Sequence, residues 1–198
     1  MENIEKEPDD NIKRILYLPL TIDKKKENYK NVIEKPKRIV TTQNKWNFTE
    51  NELLPEIQFD YIKEIREQLN SQECDIIITN SYSNTKKIII QQINQKLYGY
   101  KCQDIQKGLF SESEFIDILF VIQKMIDCNN LCFYCKNPVY VLYEYVREPK
   151  QWTVERIDNN FGHNKSNIEI ACLNCNLRRR TMYHERYVFT KQLNIQKI

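Results

Sequence analysis

Four of the seven cysteines form two C-x-x-C pairs, Cys132/Cys135 and Cys172/Cys175, with 36 residues between them. A C-x-x-C turn sets two thiolates on one side of a tight knuckle, and two knuckles complete a tetrahedral site of four sulfur ligands. Zinc suits such a site, because it prefers soft thiolates and brings no redox chemistry. With four protein ligands the coordination sphere is closed, so the expected role of the ion is structural. The segment between the pairs is too small, at about 40 residues, to bury a sufficient core alone; zinc binding would supply part of its folding free energy. A redox C-x-x-C motif or chance spacing is the alternative, and the coherent segment between the pairs argues against both. Cys74, Cys102 and Cys128 are scattered and read as plain buried thiols.

That segment and its continuation carry further polar residues at regular places. Glu155-Arg156-Ile157-Asp158-Asn159 is followed by Gly162-His163-Asn164-Lys165, then Asn167, then Cys172-Leu173-Asn174-Cys175-Asn176 and Arg178-Arg179-Arg180. An acidic residue ending a strand, a glycine-containing loop, an asparagine opening a second strand and "C..CN" leading into a helix together resemble the HNH (His-Me finger, ββα-metal) endonucleases. The resemblance is to their zinc-containing variant, similar to HNH proteins of large DNA viruses. It spans Cys132 to Lys191.

The resemblance implies a fold that holds one divalent cation, Mg²⁺ or Mn²⁺, between strand end and helix, against the scissile phosphate of DNA. By position Glu155 matches the acidic ligand and Asn176 the helix-borne ligand, both through oxygen. Asn167 matches the asparagine that hydrogen-bonds across the loop and keeps its shape. Arg178, Arg179 and Arg180 would lie near the phosphate backbone, where a planar guanidinium binds phosphate oxygens bidentately.

One position departs from the pattern. Where the family carries its general base this chain has Arg156, and arginine cannot act as a base at physiological pH. His163, seven residues on, titrates in the useful range with an ordinary pKa of about 6.5 and is the candidate base. Asp158 and activation of water by the cation alone are the other candidates. Plainer roles stand beside these. Glu155 could pair with Arg156 or Lys165, Asn159 and Asn167 could be turn residues, and the arginines could be a solvated helix end. His184 has no motif around it and reads as a surface residue.

These residues must be positioned by the elements around them. Val139–Val146, rich in Val and Tyr, reads as a strand; Trp152–Ile157 and Asn167–Leu173 read as two more, joined by a loop around Gly162. Leu173–Met182 and Tyr183–Leu193 read as helices. Trp152, Tyr143 and Tyr145 are expected to pack the core of this unit. Upstream the pattern is helical. Ile57, Tyr61, Ile62, Ile65 and Leu69 share one face, as do Ile89, Ile90, Ile93 and Leu97. Asp75–Thr79 between them is a short strand or buried connection. Ser111-Glu112-Ser113-Glu114 reads as a capping box opening a helix with Phe115, Ile118, Leu119, Ile122 and Met125 on one face, stopping near Asn129-Asn130.

The chain is therefore expected to be α+β in three parts. Residues 1–50 form a polar, poorly structured tail with one apolar run, Ile15–Leu18, able to pair as a strand. Residues 51–130 form a helical region, and 131–198 the zinc-stapled ββα module. Only three glycines argue against a many-turned β-sandwich or barrel. No apolar run approaches the ~20 residues that span a bilayer, and the acidic start lacks signal-peptide character; the expected setting is soluble and intracellular, in an infected cell if the viral resemblance holds. Between Cys132 and the end lie eleven Lys+Arg against six Asp+Glu, an excess of +5 that leaves −2 for the rest of a chain whose net charge is +3. That asymmetry points weakly to phosphates. Three functions follow in order: a metal-dependent DNA endonuclease, a DNA-binding zinc module that no longer cleaves, and a zinc-dependent protein-interaction domain.

Overall fold

The structure is a computed structural model; it describes residues 15–18, 37–39, 48–70 and 83–197. Most of the 1–50 segment, Cys74 and Asp75–Thr79 lie outside them. The described strands and α-helices, in chain order, are β1 (Ile15–Leu18), α1 (Pro55–Asn70), α2 (Asn84–Lys107), α3 (Ile118–Asp127), β2 (Trp152–Arg156), β3 (Ile168–Cys172), α4 (Leu173–Arg179), α5 (His184–Gln192) and β4 (Asn194–Lys197). The fold is mixed helix and small antiparallel sheet. No helix among the described residues is long and apolar enough to cross a membrane.

The helices follow the apolar stripes. Ile62 and Ile65 of α1, Ile89 and Ile93 of α2, and Val121, Ile122 and Met125 of α3 are fully buried, in one cluster with Trp152, Val154, Ile168 and Ile170 of the hairpin. The helical region and the hairpin thus share their core. α2 ends at Gly108, whose φ of 67° is the left-handed conformation in which its N–H reaches back to the carbonyls of Asp104 and Ile105.

Antiparallel β2 and β3 pair from Trp152 opposite Cys172 to Arg156 opposite Ile168. Alternation gives β2 two working faces. Thr153 and Glu155 turn toward α4, receiving hydrogen bonds from Asn176 and Arg179. Trp152 instead packs its ring under the Lys96 ammonium of α2, 4.4 Å away. The short apolar run near the N-terminus does pair: β1 lies parallel to β4, Ile15 opposite Asn194.

Four expectations need correction. Val139–Val146 is not a strand; it makes only isolated bridges such as Tyr140 to Gln151. The adjacent N–H groups of Val141 and Leu142 both donate to the buried Gln58 Oε1, at 2.9 Å each, whereas ladder geometry points consecutive N–H groups to opposite sides. The box at Ser111–Glu114 caps no helix. The N-cap of α3 is Asp117, whose carboxylate accepts the Phe120 N–H at 2.8 Å, and Leu119 is exposed on that helix. Residues 114–116 instead brace the loop before β3: Lys165 N–H donates to Glu114 O (2.8 Å) and Ile116 N–H to His163 O (3.2 Å). The helix expected over Leu173–Met182 stops at Arg179, because Arg180 takes a positive φ of 53°. Cys102, expected buried, is exposed, and Cys128 is half-buried.

Candidate functional site

The two knuckles are built by local turns. After α3, Asn129 and Asn130 take positive φ values of 51° and 53°, a helix stop that asparagine tolerates, and deliver the chain directly to Cys132. Lys136, also left-handed at φ 56°, donates its N–H to Cys132 O at 3.0 Å and closes the first knuckle, while Phe133 N–H donates to Ile170 O of β3 at 2.8 Å. The second knuckle is the hand-over from β3 to α4: the Cys172 thiol is the N-cap, accepting the Cys175 N–H at 3.4 Å. Cys172 N–H in turn donates to Cys132 Sγ at 3.3 Å.

All four sulfurs lie within 4.8 Å of one another, and Cys135 Sγ and Cys172 Sγ are 3.9 Å apart. A tetrahedral zinc with bonds of about 2.3 Å sets its sulfurs about 3.8 Å apart, so the cluster is compatible with structural zinc. Its electrostatics agree. The hydrogen bond from Cys172 pulls the Cys132 thiol down, while burial, with the charge of Cys132 added, pushes Cys175 up. Four thiols this close resist ionising together unless a dication compensates them.

Away from the cysteines, where β2 leads into the loop, a cleft of about 350 Å³ opens between α2, β2, the 157–167 loop and α4. Glu155, Arg156, His163, Asn176 and Arg180 line it, together with Tyr100, Gln103, Thr153 and Asn159. Glu155 is buried, and Arg179 Nη1 donates to its Oε1. Burial nevertheless pushes the Glu155 carboxyl up to about 7, against the opposing pull of Arg179. Asn176 donates from Nδ2 to Thr153 Oγ1 at 3.2 Å, a contact that does not use its amide oxygen. Arg156 donates from Nη1 to the carbonyls of Asn159 (3.3 Å) and Phe161 (3.0 Å), so its guanidinium staples the loop.

Asn167 clamps the loop's two ends. Its Oδ1 accepts the Asp158 N–H at 2.9 Å, and its Nδ2 donates to Asp158 O (2.9 Å) and Gly162 O (3.0 Å). Asp158 caps the turn inside the loop, accepting the Asn160 N–H at 2.8 Å. His163 is almost fully buried. Its backbone N–H donates to Asp104 Oδ2 at 2.6 Å, its Nδ1 lies 2.8 Å from Asp104 Oδ1, and its ring stacks on Tyr100 with centroids 4.5 Å apart. Burial lowers its pKa below the ordinary 6.5, although Asp104 pulls the other way.

The arginine cluster divides. Arg178 and Arg180 are exposed, whereas Arg179 is 2% exposed, turned inward to Glu155 and donating from Nη2 to Ile157 O at 2.6 Å. Arg179 is therefore not free to meet a phosphate backbone. Asp104 and Tyr100 are site residues that sequence reasoning missed. A signal existed: Asp104 continues the inward-facing stripe Ile93, Leu97, Tyr100 of α2, and an acid in the last turn of a helix opposes the macrodipole. Comparison with protein families, characterised proteins and solved structures gives no match to this chain.

Proposed function

We propose that this protein is a divalent-cation-dependent endonuclease of the HNH type that hydrolyses phosphodiester bonds in DNA, with zinc on the four cysteines as a structural staple. One observation carries the reading: a single cleft gathers a buried carboxylate, an amide oxygen, a carboxylate-held histidine and exposed arginine. Glu155 and Asn176 offer oxygen donors of the kind Mg²⁺ and Mn²⁺ take, and a carboxyl poised at about 7 ionises readily beside a cation. Such a cation, when bound, stabilises charge developing on the phosphate. His163 takes the proton of the attacking water, and Arg180 in the cleft with Arg178 beside it holds the phosphate backbone. Asn167 and Arg156 keep the loop in the shape that presents His163.

A second reading, DNA binding without cleavage, rests on two contacts: Arg179 occupies Glu155, and the Arg156 guanidinium is committed to loop carbonyls. Supercoiled plasmid separates the two. Conversion to nicked circle with Mg²⁺ or Mn²⁺ supports the nuclease. Salt-sensitive binding with intact plasmid in every divalent ion supports the second reading, and no binding even at low salt removes DNA from both.

A further inference from the structure

The helical region places behind the cleft's His163 a group that the hairpin–helix unit lacks, Asp104 of α2. A carboxylate only accepts hydrogen bonds, so the contact between Asp104 Oδ1 and His163 Nδ1 requires the ring proton on Nδ1. In the neutral imidazole the lone pair then sits on Nε2, the nitrogen left for the cleft. Tyr100, one turn earlier on α2, holds the face of the same ring. One helix thus fixes both the edge and the plane of the imidazole.

The loop is shaped to allow this. A Cβ on Gly162 would lie 2.5 Å from Leu109 O and 2.9 Å from Asp104 Oδ2, so only glycine lets the two approach. The placement is costly on other grounds: Asp104 is fully buried, in the helix turn where negative charge is least favoured. A clamp on the loop explains half of it. Accepting the His163 backbone N–H needs one oxygen, and a neutral amide would serve; the second oxygen, on Nδ1, is what a clamp does not require.

We propose that Asp104 is a positioning residue that sets the tautomer of His163, keeping Nδ1 protonated and Nε2 free to accept the proton of the attacking water. The inference rests on the nuclease reading for its catalytic consequence, but not for the tautomer itself.

Asp104→Asn tests it. The amide oxygen can still accept the His163 backbone N–H, while its NH₂ must donate to Nδ1, so the ring proton moves to Nε2. Imidazole ¹⁵N spectra of the zinc-loaded full chain at pH 8 are expected to show Nδ1–H in the wild type and Nε2–H in the variant. Plasmid nicking in Mg²⁺ or Mn²⁺ is expected to fall roughly 10²–10⁴-fold, with zinc content, melting and DNA affinity unchanged. An Nε2–H wild-type ring overturns the proposal without any variant, as does a variant that keeps Nδ1–H. Inverted tautomer with undiminished nicking overturns the catalytic role of the arrangement. A wild type that never nicks overturns the nuclease reading instead, and the spectra still decide whether Asp104 places the proton.

Discussion

The cysteine cluster and the cleft share one short hairpin and are built in opposite ways. The cluster uses four identical ligands, brought together by two turns of four residues each and by the pairing of β3 with the first knuckle. The cleft uses unlike groups from α2, β2, the 157–167 loop and α4, and its decisive contact joins Asp104 to His163 across 59 positions. Each cysteine pair is a local turn, whereas the cleft is assembled from elements that meet only through the shared core. They are also linked. Cys172 caps α4, and α4 carries Asn176 and Arg179 to the cleft over the next two turns, so a metal-held cluster would fix the start of the helix that serves the cleft.

That link can be broken deliberately. The largest effect is expected from Cys132→Ser or Cys175→Ser. Metal binding is folding free energy in small zinc modules, roughly 10 kcal/mol or more, so either change should lower zinc from one per chain and melt the hairpin–helix unit and the cleft with it. Metal analysis beside thermal melting checks this; full zinc with unchanged melting in both variants would sever the link. Gly162→Ala attacks the other end. Its Cβ has no room against Leu109 O, and an overpacked contact costs about 1–3 kcal/mol. Stability should fall by that amount in denaturant titration, while zinc stays bound.

The third effect is smaller and has a definite sign. Burial depresses the folded-state pKa of His163 below the unfolded value of 6.5, with Arg156 and Lys107 adding to the depression and Asp104 opposing it. The neutral ring is thus the folded-state preference: charging it opposes folding, so stability is complete above about pH 6.5 and is lost as pH falls through the window down to the depressed value. The wild type should lose more melting temperature between pH 8 and pH 5.5 than His163→Gln does. Equal losses would mean that His163 is not depressed. The smallest effect divides the arginines. Arg178→Ala and Arg180→Ala should each shallow the log–log salt dependence of DNA binding by about one unit. Arg179→Ala should leave that slope alone and lower stability, since Arg179 serves Glu155.

The same contrast explains what the sequence disclosed. The cysteine spacing, β2, β3 and the stop at Asn129-Asn130 are local signals, and the structure has them within a residue or so. The errors come where a distant group overrode a local one. Gln58 captures two consecutive N–H groups and prevents a strand at Val139–Val146. Ser111 closes only a local turn with Phe115, while Glu114 gives its carbonyl to Lys165 of the loop rather than to a helix. Arg179 reads like its neighbours until burial against Glu155 separates it. Asp104 stands out in sequence only as an acid in the last turn of α2; its partner, His163, is chosen by how α2 packs on the loop.

We propose that one hairpin–helix unit holds structural zinc and, together with α2, forms a divalent-dependent cleft for chemistry. Glu155→Gln probes it most directly, because the amide can still accept from buried Arg179 while the carboxylate charge is gone. Zinc content and plasmid nicking in Mg²⁺ and Mn²⁺ are measured on the same wild-type and variant samples. The expected result is one zinc per chain in both, with nicking in the wild type and none in Glu155→Gln. Nicking by the variant at the wild-type rate, or loss of zinc together with activity, would contradict the account.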